Sequence, residues 1–157
     1  MKIRLLCIGK TDDRYIQEGV EKYLKRLKHY VSFQIVELPD IKNVKNLSEN
    51  QQKDREGDLL LKNIHAQDFV VLLDERGKEF RSIEFSAYLE HKMVSSTAQL
   101  VFIIGGPYGF SAAVQQRANY TISLSKMTFS HQMIRLFLVE QLYRAYSIMR
   151  GEPYHHE

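Results

Sequence analysis

The stretch Leu100 to Gly106, LVFIIGG, is continuously apolar and stops on two glycines. A run that short reads as a strand, and one apolar on both sides has to be covered on both sides. Few folds offer that. The central strand of a parallel sheet with helices on each face does, and the rest of the chain repeats the theme. IRLLCIG (Ile3 to Gly9), FQIVEL (Phe33 to Leu38, ended by Pro39) and FVVLLDE (Phe69 to Glu75, closed by Arg76-Gly77) read as further strands. YTISLS (Tyr120 to Ser125) alternates and reads as a fifth.

Helix-period segments separate them. Asp12 or Asp13 can cap a helix with Ile16, Val20, Tyr23, Leu24 and Leu27 on one face. A polar loop leads to a second helix from about Ser48, striped late by Leu60, Leu61 and Ile64. Ser82 can cap a third, with Ile83, Phe85, Tyr88, Leu89 and Met93. Ser111 can cap a short one to Ala118, and the last runs from about Ser130 to Arg150, stopped by Gly151 and Pro153. The expectation is an α/β fold, a mostly parallel sheet of five to six strands with helices on both faces. No linker or repeat divides the 157 residues, so residues 1–157 are read as one domain.

The lone cysteine, Cys7, lies inside an apolar strand and reads as a buried thiol, in keeping with a reducing, cytoplasmic setting. Met1 leads straight into a strand of about seven residues, too short for a signal peptide or a membrane span. The formal net charge of +3 permits nucleic-acid contact without demanding it. His155 and His156 have no third ligand nearby in sequence, so no metal site is expected.

In open α/β sheets, ligands bind outside the carboxyl ends of the strands. Here those ends are LLDERG, IIGGPYG and SLSKMTF. Glycines after a buried strand let a backbone approach a ligand closely. A dinucleotide fingerprint from Gly105 fails at Pro107, and no acidic residue stands about twenty positions on. No Gly-Lys-Ser/Thr makes a phosphate loop either. SLSKMTF has neither strand nor helix pattern until Ser130, which leaves backbone groups in search of partners. A flat heterocycle held by those amides suits it, with Leu73, Ile104 and Phe129 as apolar walls.

The last helix carries His131 in its first turn, Arg135 one turn on, and an i,i+4 pair, Glu140 and Arg144. His131 and Arg144 are thirteen residues apart. Their directions differ by about 220°, and they lie roughly 20 Å apart along the axis. One helix cannot aim both at one atom. Either the two ends are unrelated or a second subunit completes each site, and Tyr154 and His155 lie still farther from His131. Lys22, Lys25, Arg26 and Lys28 on the first helix suit either a solvated face or an RNA footprint.

FIIGGPYGF, the C-terminal SLSKMTFSHQMIRLFLVEQLYRAYSIMRGEPYHHE and the N-terminal KIRLLCIGK together resemble the RlmH (YbeA-like) family of SPOUT methyltransferases. The resemblance covers essentially the whole chain and is most specific in its last third. It implies a C-terminal trefoil knot and a homodimer. It implies methyl transfer from S-adenosyl-L-methionine to N3 of a pseudouridine in 23S ribosomal RNA, on the assembled ribosome. By the same resemblance, Leu73, Gly105, Leu124, Ser125, Lys126, Met127, Thr128 and Phe129 form the cofactor pocket, Lys126 through its backbone. His131, Arg144, Tyr154 and His155 fall on the substrate side, with His131, His155 or a water path taking the N3 proton. The rival expectation is a non-catalytic RNA- or ribosome-binding domain.

Overall fold

The structure, a computed structural model, describes residues 1–156. Five strands, β1 (Lys2–Ile8), β2 (Ser32–Leu38), β3 (Phe69–Glu79), β4 (Gln99–Ile104) and β5 (Tyr120–Ser123), form one sheet in the order β2-β1-β4-β3-β5. Every neighbouring pair is parallel. Parallel strands need crossover connections. They are α1 (Arg14–Leu27), α2 (Glu49–Lys62), α3 (Ser82–Val94) and α4 (Ala112–Arg117), and α5 (His131–Met149) closes the chain.

The β4 residues explain the two-sided cover. Leu100, Phe102 and Ile104 belong to one core with Leu5, Val71, Phe85, Leu89, Leu138, Val139 and Leu142, beneath α1, α3 and α5. Val101 and Ile103 belong to the other, with Leu6, Leu38, Leu60, Val70, Leu72 and Val114, beneath α2 and α4. Successive strand residues point to opposite faces, so a strand apolar throughout feeds both cores. Cys7 is fully buried on the first side, and burial pushes its thiol up to about 11.

Local chemistry sets the helix starts. Ser48 and Gln51 form a reciprocal cap: Gln51 N–H donates to Ser48 Oγ at 3.1 Å, and Ser48 N–H to Gln51 Oε1 at 2.9 Å. Ser111 and Ser130 cap α4 and α5 through Val114 N–H and Met133 N–H. The third helix departs from expectation. Its cap position is Arg81, whose N–H donates to Glu84 Oε2 at 2.7 Å. Ser82 is already helical, and its hydroxyl donates to Gln141 Oε1 at 2.9 Å, tying α3 to α5.

Strand β3 also outruns its expected end at Glu75. Its pairing with β5 breaks after Leu73 and resumes at Lys78–Glu79 against Ile122–Ser123. Residues 74–77 bulge out between. Gly77 makes this possible: a Cβ there would stand 2.7 to 2.8 Å from backbone atoms of Thr121 and Ile122. Among the described residues, no helix is long and apolar enough to cross a membrane.

Candidate active site

The carboxyl ends of β3, β4 and β5 open into one cavity of about 540 Å³. Its floor is Leu73, Ile104, Phe110 and Ile134. Three loops rim it: the bulge Asp74–Glu75–Arg76, the glycine turn 105–109, and residues 124–130. His131, exposed at the start of α5, faces the same space.

Each loop is held in its own way. Arg76 grips Asp74 with two parallel bonds, Nε to Oδ1 and Nη2 to Oδ2, both 2.9 Å. The guanidinium keeps the Asp74 carboxyl below its ordinary range. The glycine turn closes through Gly109 N–H to Gly106 O at 3.2 Å, with Gly109 at φ +81°. A Cβ on Gly105 would press on Gly109 O and the Phe110 ring at 3.2 Å, so the bare backbone keeps the turn drawn in. A Cβ on Gly106 would meet Glu56 Oε2 at 2.1 Å. That carboxylate is buried in α2, with Oε1 accepting from Gln52 and Oε2 unpaired.

Residues 125–129 make no backbone–backbone hydrogen bond among the described residues. Side chains stand in: Ser123 Oγ donates to Ser125 O at 2.7 Å, and Met127 N–H to Ser125 Oγ at 3.0 Å. Thr128 Oγ1 donates to Glu75, joining this loop to the bulge. The segment therefore keeps backbone donors and acceptors free beside a cavity.

Seven of the eight residues assigned by resemblance to a cofactor pocket line this cavity: Leu73, Gly105, Leu124, Ser125, Met127, Thr128 and Phe129. Lys126 does not. It sits in the turn that Ser125 Oγ closes, exposed and outside the lining.

Arg144, Tyr154 and His155 are brought together elsewhere, at the far end of α5. Glu140 organises them. Its Oε1 accepts from Arg144 Nε at 3.1 Å, Arg144 Nη2 at 2.5 Å and the Tyr154 hydroxyl at 3.0 Å. Arg144 Nη1 lies 3.3 Å from His155 Nδ1, and its guanidinium 4.7 Å from the centre of the Tyr154 ring. Tyr154 also packs edge-on against Tyr143 at 4.6 Å, with its hydroxyl 3.1 Å from that of Tyr23. Burial first, then the bonds to Tyr23 and Glu140, push its hydroxyl well above the ordinary tyrosine range. The hydrogen bonds it donates to Glu140 raise Arg144 further, so its charge is fixed.

The tail is thus docked rather than loose. Tyr30 helps from the turn after α1, donating to Glu152 Oε2 at 2.5 Å, which lifts its own hydroxyl to about 12. The pairing of Glu140 and Arg144 was legible as an i,i+4 spacing. The third member, Tyr154, fourteen residues from Glu140, had no local signal.

Arg135 behaves unlike its neighbour His131. It is fully buried, donating from Nη1 to Thr11 Oγ1 and from Nη2 to Ile8 O, both at 2.9 Å, with Nε unpaired. It fastens α5 to the carboxyl end of β1 and takes no part in the cavity lining. A second cavity of about 310 Å³ lies between β5, α3 and α5. It shares Leu124, Ser125 and Phe129 with the first, and Glu140 stands on its wall. Among the described residues, no three of the His, Cys, Asp and Glu side chains gather as metal ligands would.

Comparison with known proteins fits this architecture. A family described as "Predicted SPOUT methyltransferase" matches residues 1–155. A protein of Parabacteroides distasonis named ribosomal RNA large subunit methyltransferase H is 60% identical over 157 residues, covering 100% of both chains. Proteins of the same name from Christiangramia forsetii and Flavobacterium johnsoniae are each 55% identical, over 99% and 100% of both chains. A parallel five-stranded sheet, a cavity at the ends of β3, β4 and β5, and full-length similarity of this degree agree: the chain belongs to the SPOUT methyltransferase family.

Proposed function

We propose that this protein transfers a methyl group from S-adenosyl-L-methionine to N3 of a pseudouridine in 23S ribosomal RNA. It does so as a cytoplasmic homodimer, on the assembled ribosome. The relatives named as large-subunit ribosomal RNA methyltransferases support the substrate class. The observation that carries the reading is the joining of the glycine turn, the 124–129 segment and His131 in one cavity.

The cavity fits the cofactor in size and chemistry. Its volume of about 540 Å³ falls in the range of pockets that take molecules of this size, ~300–1,000 Å³. Leu73, Ile104 and Phe110 suit a flat ring, free backbone groups of 125–129 suit its edge, and Gly105 suits close approach. The Asp74 and Glu75 carboxylates suit the cationic end. When bound, the cofactor supplies an electrophilic methyl group on a positively charged sulfur.

The chain's own work is then to orient the target ring and to remove the N3 proton. Orientation supplies much of the rate when the electrophile is already activated. His131 stands at the cavity and is within the right region to take that proton. Arg144, held charged by Glu140, suits a phosphate or the developing ring anion. That group lies roughly 20 Å along α5 from His131, so it serves the cavity of a second copy, and α5 contributes to the subunit interface. The trefoil knot goes with the same family reading.

The test is transfer of labelled methyl from S-adenosyl-L-methionine to ribosomes lacking the modification, with free RNA alongside. Label on a single pseudouridine of the large subunit is expected. Binding of neither the cofactor nor its demethylated product by calorimetry would leave only a non-catalytic RNA-binding domain. Label on free RNA but not on ribosomes would contradict the assembled substrate.

A further inference from the structure

Tyr108 is unusual among the nine tyrosines of the chain. The other eight each make a hydrogen bond or a ring contact: Tyr15 with Met133, Tyr23, Tyr30, Tyr143, Tyr146 and Tyr154 in one aromatic cluster, Tyr88 and Tyr120 stacked on each other. Among the described residues Tyr108 makes neither, and the residue is 44% exposed. It is not on a floppy tip. It occupies the third position of the turn Gly106–Gly109, which is closed by Gly109 N–H to Gly106 O. Pro107 restricts the backbone before it, and Gly109 takes the left-handed conformation after it. Glu56 presses on the turn from below. The turn sets Tyr108 at the edge of the cavity, half exposed and with no aromatic partner among the described residues.

Its surroundings share this character. Tyr108, Met127 and Phe129 all line the cavity, and all three are large apolar side chains left exposed, at 44%, 72% and 37%. Apolar surface gathered at the mouth of a concave site, with polar groups beyond, is how a protein prepares for a flat ligand. Unpaired RNA bases are read by stacking on aromatic rings that stand ready in this way. The cofactor's own ring needs enclosing walls, which Leu73, Ile104 and Phe110 supply deeper in.

We propose that Tyr108 is the platform on which the nucleobase receiving the methyl group stacks, an unpaired base turned out of its RNA strand. This rests on the methyltransferase reading above. It adds a substrate contact on the glycine turn, and it makes that turn serve both the cofactor and the base.

The test uses the full chain with Tyr108→Ala, Tyr108→Phe and Tyr108→Leu, and three readouts: cofactor affinity by calorimetry, kcat and KM for methyl transfer to unmodified ribosomes, and thermal unfolding. Loss of stacking costs roughly 1–3 kcal/mol per base, or a fall of about 5- to 150-fold in affinity. Tyr108→Ala is expected to raise KM for ribosomes by about tenfold or more, with cofactor affinity and Tm unchanged. Tyr108→Phe, which keeps the ring, restores KM, and Tyr108→Leu, which keeps bulk without the ring face, does not. An unchanged KM in Tyr108→Ala overturns the proposal. So does a parallel loss of cofactor affinity, which would place the ring against the cofactor. Absence of methyl transfer by the unaltered protein would instead remove the underlying reading.

Discussion

Replacing Tyr154 by Phe tests the docked tail with a single atom. The ring stays, so its contact with Tyr143 at 4.6 Å and the Arg144 guanidinium at 4.7 Å are kept. Only the hydroxyl goes, and with it the 3.0 Å bond to Glu140 Oε1 and the contact with Tyr23. A hydrogen bond to a charged acceptor contributes about 1.5–3 kcal/mol. Glu140 retains both Arg144 bonds and is not orphaned, so the lower end applies, about 1.5 kcal/mol. That free energy lies in a local equilibrium, tail docked or undocked, rather than in global unfolding. It amounts to roughly tenfold in the ratio of docked to undocked tail. The expected outcome is up to tenfold less kcat/KM for methyl transfer to ribosomes, faster amide exchange and proteolysis in residues 152–156, and unchanged cofactor affinity. Glu140→Ala should act on the same equilibrium, so Tyr154→Phe in that background should cost much less than it does alone. Unchanged amide exchange in residues 152–156 of Tyr154→Phe, or additive effects of the two changes, would refute the reasoning. A matching loss of cofactor binding would refute it too, since the tail would then support the cofactor pocket rather than the substrate side.

Two further perturbations probe the support of the site. Gly106→Ala sets a Cβ 2.1 Å from Glu56 Oε2 and should cost about 1–3 kcal/mol, measured by denaturant unfolding; adding Glu56→Ala should recover part of the loss, and no recovery would free Glu56 of its part in bracing the turn. Cys7 has its pKa raised by burial from 9.0 to about 11, so the unfolded chain releases this proton first; its stabilising contribution is full below about pH 9 and is lost as the pH rises toward 11. That amounts to about 2–3 kcal/mol for a fully buried group, and Cys7→Val should flatten the fall in unfolding free energy across this window relative to the unaltered protein.

Much of the fold was legible because it rests on local pattern. The continuous apolar character of LVFIIGG demanded cover on two sides, and Val101 and Ile103 do feed one core while Leu100, Phe102 and Ile104 feed the other. Ser48, Ser111 and Ser130 cap the helices they precede. Ser82 does not cap α3: Arg81 takes the cap position, and the Ser82 hydroxyl, already in the first turn, donates to Gln141 of α5, a partner that local pattern does not reveal. The bulge at residues 74–77 was hidden for a similar reason: a strand that leaves its partner and rejoins it keeps its composition throughout.

The candidate site divides the same way. The three loops after β3, β4 and β5 could be placed at one edge of the sheet from alternation alone, since parallel strands deliver their carboxyl ends together. The sequence by itself also determined that His131 and Arg144 cannot share a target within one helix, because rise and turn per residue are properties of the backbone. Only tertiary structure decided what each side chain does there. It sent Arg135 inward to Ile8 and Thr11 while His131, one turn away, faces a cavity. It turned Lys126 out of a lining that takes its neighbours on both sides. It folded the tail back so that Tyr154 meets Glu140 and Tyr23, residues 14 and 131 positions away. A side chain's partners are set by which elements pack beside it, and that is a property of the whole chain's arrangement rather than of any stretch within it.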